Sequence, residues 1–230
     1  MTLGSNQHRP ILSYVLRDGR MTSAQKEALE ASWPLYGLEF SKTALDLNKI
    51  FGRNAPRILE IGSGMGDATA QIADQHRECD YLAVEVHRPG IGSLIRRIEK
   101  DKLSNIRLIS HDIVDILKYQ LSENCIDCVY IFFPDPWPKK KHHKRRLISA
   151  SLLPLIKRVL KNHGRLFIAT DWEDYAKQII MLIDNEPNII NLAGNNQTAP
   201  RPRWRPMTKF ENRGLNKGHR VYDFALAFKY

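Results

Sequence analysis

Cysteine is scarce in this chain of 230 residues, which contains only Cys79, Cys125 and Cys128. An odd number of cysteines in a chain without signs of secretion argues against a framework of disulfides. Cys125 and Cys128 have the spacing of a zinc pair, but the sequence offers no second Cys or His pair to complete four ligands. Because both lie where an apolar segment begins, we predict buried structural thiols and no metal site.

Long apolar runs are also missing from the sequence. No segment approaches the roughly 18 consecutive apolar residues that a membrane-spanning helix needs, and residues 1–10 lack the apolar core of a secretory signal. Hydrophobic residues make up 43% of the chain and charged residues 26%, which is typical of a globular protein in water. We therefore expect a cytoplasmic protein that does not bind membranes.

Acidic residues are fewer than basic ones, with 25 Asp and Glu against 35 Lys and Arg, so the net charge is +10. Six of the basic side chains fall within residues 139–146. A clustered positive field attracts phosphate backbones and speeds encounter with them. This pattern favours a polyanionic partner such as a nucleic acid, although a solvated surface loop would have the same composition.

Short apolar segments alternate with helix-length segments from residue 57 onward. The predicted strands are 57–61, 81–86, 106–109, 126–133 and 165–170, and a last strand is predicted at 220–228. The predicted helices are 66–77, 91–102, 147–162 with a kink at Pro154, and 171–185 with Asp171 as a candidate N-cap. Alternating strands and helices imply an α/β fold with a doubly wound, mostly parallel sheet and a last antiparallel strand.

The N-terminal part of the chain lacks the alternation of strands and helices that is predicted for the rest. Residues 23–36 have the pattern of a helix that ends near Pro34, and a mixed polar segment precedes it. We therefore divide the chain into an N-terminal arm and helix, partly flexible, over residues 1–40, and a single domain over residues 41–230.

A glycine-rich turn follows the first predicted strand, with glycines at Gly62, Gly64 and Gly66. Glycines let the backbone approach a ligand closely, but a dinucleotide loop needs its third glycine one position later, where Asp67 stands. A carboxylate there would repel a pyrophosphate and suits a cation, as does Glu60 at the end of the strand. S-adenosylmethionine carries an ammonium and a sulfonium and no phosphate, so we favour it over a nicotinamide cofactor.

Two further acids follow the next two strands. Glu85 lies about 20 residues beyond the loop, where an acid can accept hydrogen bonds from ribose hydroxyls. Asp112 comes just after the third strand, where a carboxylate can accept a hydrogen bond from the adenine amino group. Each acid alone is equally well explained as a surface residue, but three at successive strand ends indicate a cofactor site.

Asp135 lies between prolines at the end of the fourth predicted strand, directly before the basic run. Pro134, Pro136 and Pro138 are expected to hold the residues before them in extended conformations. Ligands of open α/β sheets bind at this carboxyl edge, so Asp135 is a candidate catalytic residue, with a simple turn residue as the alternative. Trp137 could stack on a base or pack within the protein.

At these residues the chain resembles the bacterial tRNA (guanine-N7)-methyltransferase family, within the Rossmann-like class I S-adenosylmethionine-dependent methyltransferases. The matching motifs are Glu60-Ile61-Gly62-Ser63-Gly64-Met65-Gly66, Phe133-Pro134-Asp135-Pro136-Trp137-Pro138-Lys139 and Arg205-Pro206-Met207-Thr208-Lys209-Phe210-Glu211-Asn212-Arg213-Gly214. Residues 13–20 also resemble the N-terminal arm of the family. The proline-rich motif and the Thr-Lys-Phe-Glu motif are specific, whereas the glycine loop alone is not.

The resemblance implies methyl transfer from S-adenosyl-L-methionine to N7 of the guanine at position 46 in the tRNA variable loop. By resemblance, the cofactor site comprises Glu60, Gly62, Gly64, Gly66, Glu85, Asp112 and Asp135. The substrate contacts it implies are Lys139, Asp171, Thr208, Lys209, Phe210 and Glu211. The RNA-backbone contacts it implies are Lys141, His142, His143, Lys144, Arg145 and Arg146. No obligate protein partner is expected for the monomer or homodimer.

Two other functions fit parts of the sequence. An N6-adenine or other nucleic-acid methyltransferase would also carry a proline-rich acidic or amide motif after the fourth strand. The Pro-Trp-Pro that follows Asp135 argues against it, because those enzymes have a Pro-Pro-aromatic sequence there. A non-catalytic RNA-binding protein that kept the fold is the third possibility. The acids at four strand ends argue against that one.

Overall fold

The computed structural model describes Tyr14 and residues 19–230, except for the side chains of Lys209 and Phe210. Most of the N-terminal motif at residues 13–20 therefore lies outside the described residues. The division of the chain at residue 40 stays a prediction.

A single eight-stranded sheet runs through the described part of the chain, in the order β1-β4-β3-β2-β5-β6-β8-β7. The strands are β1 Gly37–Leu38, β2 Arg57–Ile61, β3 Asp80–Val84, β4 Ile106–Ile109, β5 Ile126–Phe132, β6 Leu160–Thr170, β7 Ile189–Asn191 and β8 Tyr222–Phe228. The pairs among β1 to β6 are parallel, and β8 is antiparallel to β6 and to β7. The predicted fold class is confirmed, including the last antiparallel strand.

Helices cover both faces of the sheet, which makes the fold doubly wound. They are α1 Ser23–Tyr36, α2 Leu47–Phe51, α3 Asp67–Gln75, α4 Arg88–Lys100, α5 Ile113–Asp115, α6 Leu153–Val159, α7 Glu173–Asp184 and α8 Lys209–Leu215. Apolar side chains of α1, α3 and α4 pack on one face, and those of α2, α5, α6 and α7 pack on the other. Within the described residues, we find no helix with the length and apolarity needed to cross a membrane.

Helix α6 corrects the prediction of a long kinked helix at 147–162. It begins at Leu153, so Pro154 lies in its first turn, where a missing backbone N–H is tolerated and no kink follows. It ends at Val159 because the chain then enters β6, with Leu160 aligned beside Ile126 of β5. The helix is shorter than predicted, and β6 is correspondingly longer.

Two helix starts also differ from the prediction. The residue that caps α7 is Trp172, not Asp171. Helix α8 was not predicted, and it begins where the Thr208 hydroxyl accepts a hydrogen bond from the backbone of Glu211. A Thr followed three residues later by Glu is the sequence pattern of a helix N-cap, so the sequence did contain the signal for this helix.

The three cysteines are free and partly buried. Burial raises the pKa of the Cys79, Cys125 and Cys128 thiols, as expected of packing residues rather than reactive ones. In the part of the chain that the structure describes, no group of His, Cys, Asp and Glu is arranged to hold a metal ion.

Candidate active site at the carboxyl edge of the sheet

A cavity of about 390 Å³ opens at the carboxyl ends of β2, β3 and β5. β2 lies between β3 on one side and β5 on the other, so the direction in which strands are added to the sheet switches beside β2. Open α/β sheets bind ligands at such a topological switch point. Gly62, Gly64, Glu85 and Asp135 line this cavity. The structure therefore brings together four of the residues that the sequence assigned to a cofactor site.

The glycine loop is held in place by Glu85. The carboxylate accepts hydrogen bonds from the backbone N–H groups of Gly64 at 2.7 Å, Val86 at 2.7 Å and His87 at 2.8 Å. A carboxylate has about four acceptor positions, so about one remains for a ligand hydroxyl. Glu85 thus both shapes the loop and keeps a limited capacity to bind a ligand.

Backbone conformation explains the glycines of the loop. Gly62 and Gly64 have φ of 82° and 56°, in the left-handed region that other residues rarely adopt. Gly66 has φ of 75° and abuts Leu94, where a Cβ would overlap the leucine side chain. The loop can therefore run close to a ligand only with these residues.

Glu60 and Asp112 are not among the residues that line the cavity. Side chains alternate along a strand, so Ile61 faces the cavity while Glu60 is buried on the other face of the sheet. There the Glu60 Oε2 atom has no hydrogen-bond partner, and burial raises the pKa of its carboxyl to about 7. Asp112 caps α5, because its Oδ1 accepts a hydrogen bond from Val114 N–H at 2.7 Å.

Asp67 does not have the role that the sequence suggested. Its carboxylate forms an ion pair with Arg97, so its negative charge is already balanced within the protein. The expectation that Asp67 favours a cationic ligand is therefore wrong, although a pyrophosphate still lacks the glycine it would need at that position.

Asp135 is exposed at the mouth of the cavity, on a loop with an uncommon backbone. Phe133 and Trp137, on either side of it, have φ of 51° and 47°. The expectation that every residue before a proline is extended is wrong for these two. Contacts with the rest of the protein hold these two residues in the left-handed conformation. Phe133 N–H donates to Ala169 O at 2.8 Å, and the Trp137 ring lies 5.1 Å from the Arg145 guanidinium. Left-handed non-glycine residues of this kind cluster at functional sites.

Trp137 packs within the protein. In addition to Arg145 above the ring, the His142 ring meets it edge-on at a centroid distance of 5.9 Å. The indole N–H is buried and has no hydrogen-bond partner. Trp137 therefore joins the proline loop to the start of the basic segment.

Asp171 lies at the end of β6, the strand beside β5, so it reaches the same edge as Asp135. The side chain is mostly buried, and its Oδ2 lies 3.2 Å from Nδ1 of His219. Lys139 is exposed and directly precedes a 3₁₀-helix at Lys140–Arg145. These two expected substrate contacts lie at the same edge as the proline loop.

Glu211 is not exposed as a substrate contact would be. Its side chain is 1% exposed and pairs with the Arg205 guanidinium through two hydrogen bonds of 2.8 and 3.1 Å. Asp223 of β8 accepts two more from Arg205. This burial argues against the expected role of Glu211 as a direct substrate contact, because its carboxylate is shielded from solvent and paired with Arg205. Thr208 is engaged as the cap of α8, and the side chains of Lys209 and Phe210 lie outside the described ones.

The basic strip is defined here as residues Lys139, Lys140, Lys141, His142, His143, Lys144 and Arg145. The lysines are exposed, and the two histidines and Arg145 are partly exposed. Arg146 differs, because its side chain is 1% exposed and bonded within the protein. The expectation that Arg146 contacts RNA does not fit this burial.

Sequence comparison identifies the family. The family model described as "Putative methyltransferase" matches residues 54–224. A tRNA (guanine-N(7)-)-methyltransferase from Nitrosospira multiformis is 54% identical over 216 residues, which cover 94% of this chain and 93% of the relative. An enzyme with the same name from Nitrosomonas eutropha is 52% identical over 218 residues, covering 95% and 96% of the two chains. This chain belongs to the tRNA (guanine-N(7)-)-methyltransferase family.

The fold of this family member is also found among more distant methyltransferases. The structure of the 16S rRNA methyltransferase KamB matches 81% of this chain and 95% of its own, with a TM-score of 0.59 and 11% identity. At that identity the likeness concerns the fold alone. It supports the doubly wound architecture that places the cavity at the switch point.

Several residues of the site in this family member were not predicted from the sequence. Tyr14, His87 and His111 line the cavity beside Glu85. His111 stacks on Phe40 with ring centroids 3.7 Å apart. No sequence pattern singled out the histidines, whereas Tyr14 falls within the N-terminal motif. Arg205 belongs to the third motif, but its burial and its pairing with Glu211 and Asp223 could be seen only in the structure.

Proposed function

We propose that this chain transfers a methyl group from S-adenosyl-L-methionine to N7 of guanine in tRNA, at position 46 of the variable loop. The observation that carries the proposal is the position of Asp135 in the lining of a cavity that also includes the glycine loop held by Glu85. Family membership supplies the reaction class, since the relatives are named for this guanine methylation.

The cavity fits the proposed cofactor. Its volume of about 390 Å³ lies within the range of about 300 to 1,000 Å³ that small-molecule sites occupy. Gly62 and Gly64 leave the backbone open to close approach, and Glu85 keeps an acceptor position for a ribose hydroxyl. Glu60 and Asp112 remain proposed cofactor residues on the strength of the family resemblance. When bound, S-adenosyl-L-methionine supplies an electrophilic methyl group.

The work left to the protein is mostly positioning. Guanine N7 is an acceptor without a proton, so no base is needed to expose its lone pair. Holding two reactants in line can supply about 7 to 11 kcal/mol of the rate enhancement. The stiff loop around Asp135, with its two left-handed residues, is suited to present one carboxylate at a fixed place.

Asp135 has two proposed roles. Positive charge develops on the guanine ring as its N7 is methylated, and a fixed carboxylate nearby would stabilise it. The same carboxylate can accept a hydrogen bond from guanine N1–H or the amino group, which would select guanine over adenine. Asp171 at the neighbouring strand end and exposed Lys139 are proposed as further substrate contacts.

The basic strip is proposed to contact the tRNA backbone. Its lysines are exposed at the same edge as Asp135, and phosphate contacts from Lys and Arg position a nucleic acid without reading its sequence. The target base would leave its place in the tRNA to reach the cavity. We further propose that the protein acts in the cytoplasm without an obligate protein partner.

The test is a methyl-transfer assay with purified protein, labelled S-adenosyl-L-methionine and tRNA that lacks the modification, followed by nucleoside analysis. We expect 7-methylguanosine from the wild type and a loss of about 100-fold or more in Asp135→Asn. Asp74→Asn, on the exposed face of α3, is the matched control and should retain activity. Label found on adenine would instead support an adenine methyltransferase, and tRNA binding without transfer by the wild type would support a binding protein.

A further inference from the structure

Arg146 ends the basic run of the sequence, but its guanidinium points into the protein. Nε donates to the carbonyl oxygen of Pro136 at 2.9 Å. Nη1 donates to Gln178 Oε1 at 2.6 Å, and Nη2 donates to Asp174 Oδ2 at 2.6 Å. Nη2 also lies 3.1 Å from His143 Nε2. Four of the five N–H groups of the guanidinium therefore have partners inside the protein.

Packing isolates the guanidinium further from solvent. It lies over the Tyr175 ring at 4.8 Å, and the Arg146 side chain is 1% exposed. The chain just after Arg146 is hydrogen-bonded to helix α7, because Ile148 N–H donates to the Tyr175 hydroxyl at 2.9 Å. A tRNA phosphate cannot reach this charge without displacing these partners.

The contacts of Arg146 join two parts of the active site. Pro136 immediately follows Asp135, so the bonded carbonyl belongs to the proposed catalytic loop. Asp174 and Gln178 belong to α7, whose first turn directly follows Asp171 at the end of β6. One rigid, forked side chain thus fixes the distance between the loop that carries Asp135 and the helix that follows Asp171.

We propose that Arg146 is a positioning residue that sets the geometry of Asp135 relative to Asp171, and that it is not a contact to RNA. The proposal rests on the proposed function of the Asp135 loop. A lysine could replace the charge but not the fork, because a single ammonium cannot reach a backbone carbonyl, an amide and a carboxylate in three directions. A misplacement of about 1 Å at a reacting group can cost about 100-fold in rate.

The experiment compares wild type, Arg146→Lys and Arg158→Lys. Arg158 is the matched control: it donates to the carbonyl oxygen of Leu121 at 2.7 Å and to that of Leu117, at the opposite edge of the sheet. We expect Arg146→Lys to lower kcat about tenfold or more, with KM for tRNA changed less than about twofold. Arg158→Lys should leave both constants near wild type. If Arg146 were a phosphate contact, Arg146→Lys would leave both kcat and KM near wild type, because Lys keeps the charge that binds phosphate, and this result would overturn the proposal.

The salt dependence of tRNA binding tests independently whether Arg146 contacts a phosphate. The slope of log affinity against log salt should be the same in Arg146→Gln and wild type, while Lys144→Gln in the basic strip should reduce it by about 0.7 to 0.9. A slope reduced as much by Arg146→Gln as by Lys144→Gln would overturn the proposal.

Variants of the partner residues keep the proposal testable if Arg146 variants do not fold. Gln178→Ala and Asp174→Ala each remove one contact, and we expect lower kcat with an unchanged KM for tRNA; unchanged kcat in both would overturn the proposal. Effects of Gln178→Ala and Arg146→Lys should also be less than additive, since they act through one contact.

Wild-type product is identified first, so a product other than 7-methylguanosine refutes the proposed function separately. The comparison of kcat values among the variants still tests the role of Arg146 in that case.

Discussion

Arg205 and Glu211 form a bidentate ion pair in the interior, with N–O distances of 2.8 and 3.1 Å and both side chains 1% exposed. Asp223 binds the other edge of the same guanidinium, and Arg201 lies 3.3 Å from Glu211. The Arg205 guanidinium also lies 5.5 Å from the ring of Phe133. A motif expected to touch substrate therefore contributes its carboxylate to a buried cluster beneath the Asp135 loop.

Glu211→Gln should destabilise the protein by about 1.5 to 3 kcal/mol, because hydrogen bonds between charged groups are lost in the interior while Asp223 still pairs with the Arg205 guanidinium. Urea unfolding measures the loss. Glu173→Gln, in an exposed pair with Lys177, should change stability by less than about 1 kcal/mol. A Glu211→Gln variant with normal stability and weakened tRNA binding would show that Glu211 contacts substrate after all.

Glu60 should make stability depend on pH. Burial raises the pKa of its carboxyl from 4.5 to about 7, so between these pH values the folded state keeps a proton that the unfolded state releases. The free energy of unfolding therefore falls as pH rises through this window, by about 1.4 kcal/mol per unit and about 3 kcal/mol in total. Glu60→Gln should remove this contribution and be more stable than wild type at pH 8.

Unfolding of wild type and Glu60→Gln between pH 4 and pH 8 checks this prediction. Glu30→Gln, in an exposed pair with Lys26, is the control and should follow the wild-type curve. Parallel curves for wild type and Glu60→Gln would mean that the Glu60 carboxylate is stabilised in a way that burial alone does not provide.

Gly90→Ala should weaken cofactor binding. A Cβ at this position would overlap the carbonyl oxygen of Gly64 and would approach Glu85, so the glycine loop would have to move. We expect affinity for S-adenosyl-L-methionine, measured by calorimetry, to fall about tenfold or more, since displaced positioning groups commonly cost that much. Gly52→Ala meets no atom within 4 Å and should cost only about 1 kcal/mol of stability through its positive φ. Equal affinity in the two variants would contradict this view of the loop.

Replacing Lys141 and Lys144 of the basic strip together with glutamine should flatten the salt dependence of tRNA binding. Each lost phosphate contact lowers the slope by about 0.7 to 0.9, so the double variant should lose about 1.4 to 1.8. The control replaces Lys26 and Lys100, which are exposed on α1 and α4, and should keep the wild-type slope. An unchanged slope in the strip variant would identify it as a solvated surface.

The sheet was predictable because its signal is local. The β2 run of residues 57–61 is buried throughout and its predicted bounds are those observed. The apolar segment of β5 was likewise found to within one residue. The doubly wound, mostly parallel topology and the edge that carries Asp135 then followed from the alternation with helices.

The roles of charged residues were less predictable, because distant partners decide them. Arg145 and Arg146 are identical neighbours in the sequence, yet one lies over Trp137 and the other is buried against α7, some 28 residues later in the chain. Glu211 was predicted as a substrate contact from the family resemblance, and no sequence pattern indicated Arg205 as its buried partner. Left-handed Phe133 and Trp137 oppose the usual preference before proline, so only the packed structure could reveal them.

The position of β8 has a consequence for how the enzyme is made. β8 pairs with both β6 and β7, so β7 gains its place in the sheet only when a strand synthesised some 30 residues later has inserted beside it. Asp223 of that strand is also the second partner of Arg205 beneath the Asp135 loop. At about 5 to 20 residues per second of synthesis, the residues between β7 and β8 take seconds to make, so the sheet and the buried cluster around Arg205 are complete only after that interval.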